Sequence, residues 1–151
     1  MKSKAILGTL AMVLGLGYGA SAMAQAKPDV LVKQRQAAMT LIGKYWGPIA
    51  GIPSGKAPYN AERVATNAAY LEVLSKMPWD GFTADTKGEN SRALPAVFTD
   101  TAKFKDGADA MQRSIASLAK ISKGGDEASV KAAIAEVGKT CGSCHENFRA
   151  K

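Results

Sequence analysis

Histidine occurs once in this chain of 151 residues, and cysteine only twice. A structural zinc site built from them would lack its fourth Cys or His ligand, so that chemistry is excluded. Past the first two dozen residues, no apolar run is long enough to cross a bilayer. Internal repeats, low-complexity tracts and segments with the period-two alternation of a strand are missing as well, which points to an all-α chain. Basic residues outnumber acidic ones, 20 to 13, for a formal charge of +7, yet they are scattered among Asp and Glu. Without a basic stripe no nucleic acid is expected as a partner, and the charge does no more than steer acidic proteins loosely.

The N-terminus, by contrast, has a distinct pattern. Lys2 and Lys4 precede an uncharged, largely apolar stretch from Ala5 to Tyr18, and Ala22-Met23-Ala24 has the small-x-small form of a cleavage site. Residues 1–24 are therefore expected to be a cleaved signal peptide, with Ala20-Ser21-Ala22 as an alternative site, and residues 25–151 the mature domain. The apolar run is short and glycine-rich and has no basic stop-transfer flank, so no membrane anchor is expected after cleavage. The expected compartment is the periplasm of a Gram-negative bacterium. Loss of Lys2 and Lys4 lowers the formal charge from +7 to +5, and what remains is the size of one small domain with a single core.

Both cysteines and the histidine fall within one pentapeptide, Cys141-Gly142-Ser143-Cys144-His145. A C-x-x-C-H sequence reads as a covalent haem c site. Two thiols are needed to add to the two vinyl groups of the porphyrin, and an imidazole must lie beneath the iron. On a helix Cys141, Cys144 and His145 stand at i, i+3 and i+4, so all three project from one face while Gly142 and Ser143 turn away. The competing reading is a thiol–disulfide oxidoreductase. It expects the pair at the start of a helix in a βαβ unit, whereas this motif lies late in a helical segment with six residues after the histidine.

Periodicity predicts four helices. The first opens at Pro28 and turns Val30 or Leu31, Gln34 or Arg35, Ala38, Met39, Ile42 and Trp46 to one side before a break at Gly47-Pro48. The second follows an Asn60 cap, carries Val64, Ala68, Leu71 and Leu74, and stops at Met77-Pro78. A long loop from about Pro78 to Pro95 comes next, and an unstructured loop of that length tends to be functional. The third helix places Phe104, Ala108, Met111, Ile115 and Leu118 on one stripe and ends at Gly124-Gly125. Asp126 caps the fourth, whose stripe of Val130, Ile134 and Val137 continues into Cys141, Cys144, His145 and Phe148. That continuity points the haem into the core of an antiparallel four-helix bundle.

Several landmarks together resemble the cytochrome c′ family, the class II cytochromes c. They are Arg35-Gln36 with Met39, Ala57-Pro58-Tyr59, Pro78-Trp79 with Phe82, and the C-terminal pentapeptide with Phe148-Arg149. The resemblance covers the mature chain and departs near Arg92-Ala93-Leu94-Pro95, where the stretch is longer. It implies thioethers at Cys141 and Cys144, His145 as the axial ligand of one covalent haem c, and haem contacts from Arg35, Gln36, Trp79, Phe82, Asn90, Ser91 and Arg149. Met39 takes the distal position, either shielding five-coordinate iron or serving as a sixth ligand in a low-spin His/Met electron carrier. The implied protein is not an enzyme. It exchanges one electron with redox partner proteins, binds small gases such as nitric oxide (NO) and carbon monoxide (CO), and forms a homodimer through its first two helices. Ala61, Ala65 and Ala69 are a candidate surface for that pairing.

Overall fold

The computed structural model describes residues 26–151, so the expected signal peptide lies outside the described residues. Helix α1 spans Pro28–Ala50, with proline at its first turn and Asp29 at the positive end of its dipole. It buries Val32, Arg35, Ala38, Ile42 and Ile49. Val32, rather than Val30 or Leu31, is thus the inward residue of the first turn. The expected break at Gly47-Pro48 does not occur. Pro48 has no N–H to give the Lys44 carbonyl and its ring crowds that oxygen, yet the final turn is held by complete burial of Ile49, with Ile52 at 1% exposure just beyond. A tight turn follows, closed by Lys56 N–H donating to the Gly51 carbonyl at 2.9 Å. Gly55 supplies its left-handed residue, with φ +73°.

Helix α2, Ala61–Leu74, starts as expected: the Asn60 side chain accepts from Arg63 N–H at 2.8 Å. It ends earlier than expected, because the chain tightens after Leu74 into three-residue hydrogen bonds, Lys76 to Val73 and Met77 to Leu74, ahead of Pro78. The segment from Pro78 to Pro95 is not the unstructured loop expected. It contains two 3₁₀ turns, Trp79–Gly81 and Ala84–Thr86, and is followed by a one-turn helix α3, Ala96–Thr99. Among the described residues the only β feature is an isolated antiparallel bridge between Ala93 and Arg149.

Helix α4 spans Thr101–Ile121 and α5 spans Glu127–Phe148, capped by the Asp100 and Asp126 side chains. Between them Gly125 N–H donates to the Ile121 carbonyl at 2.8 Å. A Cβ at Gly125 would lie 2.7 Å from that oxygen, so glycine is required there. The four long helices form the bundle, and their inward stripes meet in one core. Ile49, Val64, Leu71, Ile115, Leu118, Val130, Ile134 and Val137 are each no more than 1% exposed. Full burial of such side chains contributes about 1.5–3 kcal/mol apiece. Beside this core, the middle of α1, the first half of α4 and the last turns of α5 line a cavity. No helix among the described residues is long and apolar enough to cross a membrane.

Candidate functional site

The cavity measures about 760 Å³, within the range of roughly 300–1,000 Å³ usual for cofactor sites. Helix α5 presents Cys141, Cys144 and His145 to it, as the i, i+3, i+4 spacing requires. Helix α1 contributes Arg35, Gln36, Met39, Ile42 and Trp46, α4 contributes Phe104 and Met111, and the 3₁₀ segment contributes Trp79 and Phe82. Ser91, Arg92, Phe148 and Arg149 also line it. Of the residues expected at the site, only Asn90 does not line it. Its side chain is exposed, and its carbonyl accepts from Gln36 Nε2 at 3.5 Å.

No disulfide joins the two cysteines. Burial first, and then the neighbouring Cys144, push the Cys141 thiol pKa up, and burial does the same to Cys144. A reactive dithiol needs the opposite direction, so this pair is poorly suited to thiol–disulfide exchange. The His145 imidazole is held below its ordinary pKa, chiefly by partial burial and then by the Arg149 and Arg92 charges. Those influences favour its neutral form, the one that ligates iron. Among the described residues no group of three or more His, Cys, Asp or Glu side chains converges on a bare metal ion.

Arg35 has a larger role than its sequence position suggested. It is 3% exposed. Its Nη1 donates to the Gly81 carbonyl at 2.6 Å and to Thr86 Oγ1 at 2.9 Å, and its Nη2 donates to Ser91 Oγ at 3.0 Å. The guanidinium also lies 4.3 Å from the Phe82 ring centroid. Close approach is possible because residue 81 is glycine: a Cβ there would stand 2.9 Å from the Leu31 carbonyl oxygen and 3.0 Å from Arg35 Cβ. One arginine thus fastens the whole 79–91 segment to α1. No carboxylate balances it, and burial lowers its pKa.

The aromatic wall is continuous. Trp79 is fixed by Nε1–H donating to the Ser75 carbonyl at 2.6 Å. Ring centroids then step from Trp79 to Phe82 at 6.2 Å, from Phe82 to Phe104 at 4.9 Å and from Phe104 to Phe148 at 5.3 Å, distances at which offset and edge-to-face rings attract. Trp46, Arg92, Phe104, Met111 and Phe148 were not among the sequence-derived site residues. Four of these lie on the inward stripes, and following the stripes to the pentapeptide end would have found them. Arg92 carried no such signal.

These features fit a haem c. The interior is largely apolar and aromatic, as a porphyrin face requires. Two thiols and a neutral imidazole share one helix face on it, and Gln36, Ser91, Arg92 and Arg149 line the same cavity, a donor set suited to carboxylates.

The cytochrome c′ family model matches residues 30–149. The chain is similar to cytochrome c′ of Rubrivivax gelatinosus, with 40% identity over 126 residues that cover 83% of this chain and 98% of that protein. Its fold is similar to cytochrome c prime of Shewanella frigidimarina, with TM-score 0.79 and 32% identity, covering 84% of this chain and 99% of the other. It is also similar to cytochrome c prime of Alcaligenes xylosoxidans. A nitric oxide complex of a mutant of that protein aligns with TM-score 0.75 at 36% identity, covering 84% and 98% of the two chains. A carbon monoxide-bound variant aligns with TM-score 0.74 at 36% identity, covering 83% and 98%.

Proposed function

We propose that this chain, which belongs to the cytochrome c′ family and so carries a covalently bound haem c, holds that group through Cys141, Cys144 and His145 and uses it to exchange one electron and bind small gases in the periplasm. The observation that carries this reading is the convergence of those three side chains and Met39 on one apolar cavity. When bound, the haem supplies a one-electron couple and an iron site for a diatomic ligand. The protein's own residues do the rest. His145 stays neutral beside Arg149 and Arg92, Phe82, Phe104 and Phe148 exclude water, and Arg149 and Gln36 offer donors to carboxylates.

Met39 shields the distal side without ligating. Its flexible thioether fills space beside Ile42 and Trp46, so small uncharged molecules are admitted by displacing it and charged ones meet an apolar wall. Nitric oxide and carbon monoxide, bound by variants of the Alcaligenes xylosoxidans relative, fit that selectivity. The alternative, with Met39 as sixth ligand, makes the protein a low-spin electron carrier.

The expected homodimer has a candidate face on α1 and α2. Leu41 on α1, Tyr70 and Val73 on α2 and Met77 just past the end of α2 are 41–58% exposed, apolar side chains of the kind a two-fold pairing could cover.

The test is denaturing electrophoresis with a haem stain, followed by carbon monoxide addition to the reduced protein. A stained polypeptide whose spectrum shifts with carbon monoxide supports the reading. A colourless chain with two titratable thiols refutes haem attachment, and a stained chain indifferent to carbon monoxide assigns the plain electron carrier.

A further inference from the structure

The last residues of the chain are laced to the segment that precedes α3. Leu94 N–H donates to the Phe148 carbonyl at 2.9 Å, and Ala150 N–H donates to the Arg92 carbonyl at 2.8 Å. The Arg92 side chain adds a third bond, Nε–H to the Ala150 carbonyl at 3.0 Å. Ser91 ties the lacing to the rest of the site, since its hydroxyl accepts both from Ala93 N–H at 3.2 Å and from the buried Arg35. Arg92 is therefore fixed through both its backbone and its side chain, although it is exposed.

The lacing has an electrostatic result. Arg92 lines the cavity together with His145 and Arg149. The ion pairs among the described residues are Lys33–Asp29, Lys105–Asp109 and Lys131–Glu127, so neither arginine has a carboxylate partner there. A fixed cation near a redox centre favours the state with one fewer positive charge. The effect is reduced by solvent in proportion to exposure.

We propose that Arg92 is a tuning residue of the haem, its guanidinium held by the C-terminal lacing at the cavity it shares with His145 so that it favours the reduced state. The proposal rests on haem ligation by His145. The step affected is transfer of one electron from a reduced redox protein to ferric iron, giving ferrous iron with no bond made or broken.

The experiment is a redox titration of the haem-loaded protein and three variants. Arg92→Gln should shift the redox equilibrium toward ferric by about two- to threefold, roughly 18–28 mV at 59 mV per tenfold for one electron. The difference should shrink as salt is raised from 0.01 to 1 M, on the order of the fall in Debye length. Arg92→Lys, which keeps the charge, should restore most of the potential. Ala150→Pro removes one lacing donor without changing charge, and Arg149, at φ −129° and ψ 129°, already has the extended backbone that a following proline requires. It should shift the potential part of the way. Haem-loaded Arg92→Gln at the wild-type potential, or Arg92→Lys falling as far as Arg92→Gln, overturns the tuning role. Wild-type protein without covalent haem would instead overturn the ligation on which the role depends.

Discussion

Replacing Arg35 with alanine should be among the most damaging single changes outside the hydrophobic core. The substitution removes three hydrogen bonds from a charged donor, each worth about 1.5–3 kcal/mol, and a stack on Phe82 worth on the order of 1 kcal/mol. Against this, a buried guanidinium without a counter-charge pays a desolvation cost of several kcal/mol, which its loss refunds. The Gly81 carbonyl is then left buried without its main donor, a further cost of about 1–3 kcal/mol. These terms overlap and do not add, and the expected loss lies toward the upper end for single substitutions, about 3 kcal/mol, or roughly 10 °C in midpoint for a domain of this size. The assay is thermal and urea unfolding of the haem-loaded protein, paired with limited proteolysis. Cleavage should move into residues 79–91, the segment that Arg35 fastens, and Arg35→Lys should recover only part of the loss. A shift below about 1 kcal/mol, or an unchanged cleavage pattern, would refute the view that one side chain orders this segment.

Met39→Ala should leave the resting spin state nearly unchanged and speed carbon monoxide binding, as stopped-flow would show. A low-spin ferric spectrum with a sulfur-to-iron charge-transfer band, both lost on substitution, would make Met39 a ligand. Asp126→Ala should lower the unfolding midpoint at pH 7. The Asp126 carboxyl is held below its ordinary value of 3.8, first by hydrogen bonds from Ser129, so its contribution is full above that value and is lost as pH falls through the lower folded one. The gap between variant and wild type should accordingly close only below about pH 3.8, and a gap already closing between pH 6 and 5 would contradict that cause. Val73→Glu, placed on the 58%-exposed residue of the α1–α2 patch, should shift sedimentation from dimer to monomer. An unchanged dimer would move the interface elsewhere.

Helix caps and stripes were legible because their causes are local. Asn60 and Asp126 cap where the sequence says they should, and the α5 stripe leads straight to the pentapeptide. The misreadings share a different origin. Pro48 is a local helix-breaking signal that burial of Ile49 overrides, and the 78–95 segment has weak intrinsic structure that α1 imposes through Arg35. The second role of Arg35, as the anchor of that segment, was not legible because residue type and helix position cannot reveal that Gly81, Thr86 and Ser91, up to 56 positions away, would accept from its guanidinium. Arg92 was missed for the same reason, since its surroundings are made by the chain end and not by its neighbours in sequence.

The cavity draws one wall from the first helix and its anchoring groups from the last. Chains emerge from the ribosome at about 5–20 residues per second, so Cys141 follows Met39 by roughly 5–20 s. Throughout that interval the wall formed by the first helix has no anchoring group to face. A chain cut short just before Cys141 therefore carries the first three long helices but neither thiol nor the histidine, and so no means of attaching a prosthetic group.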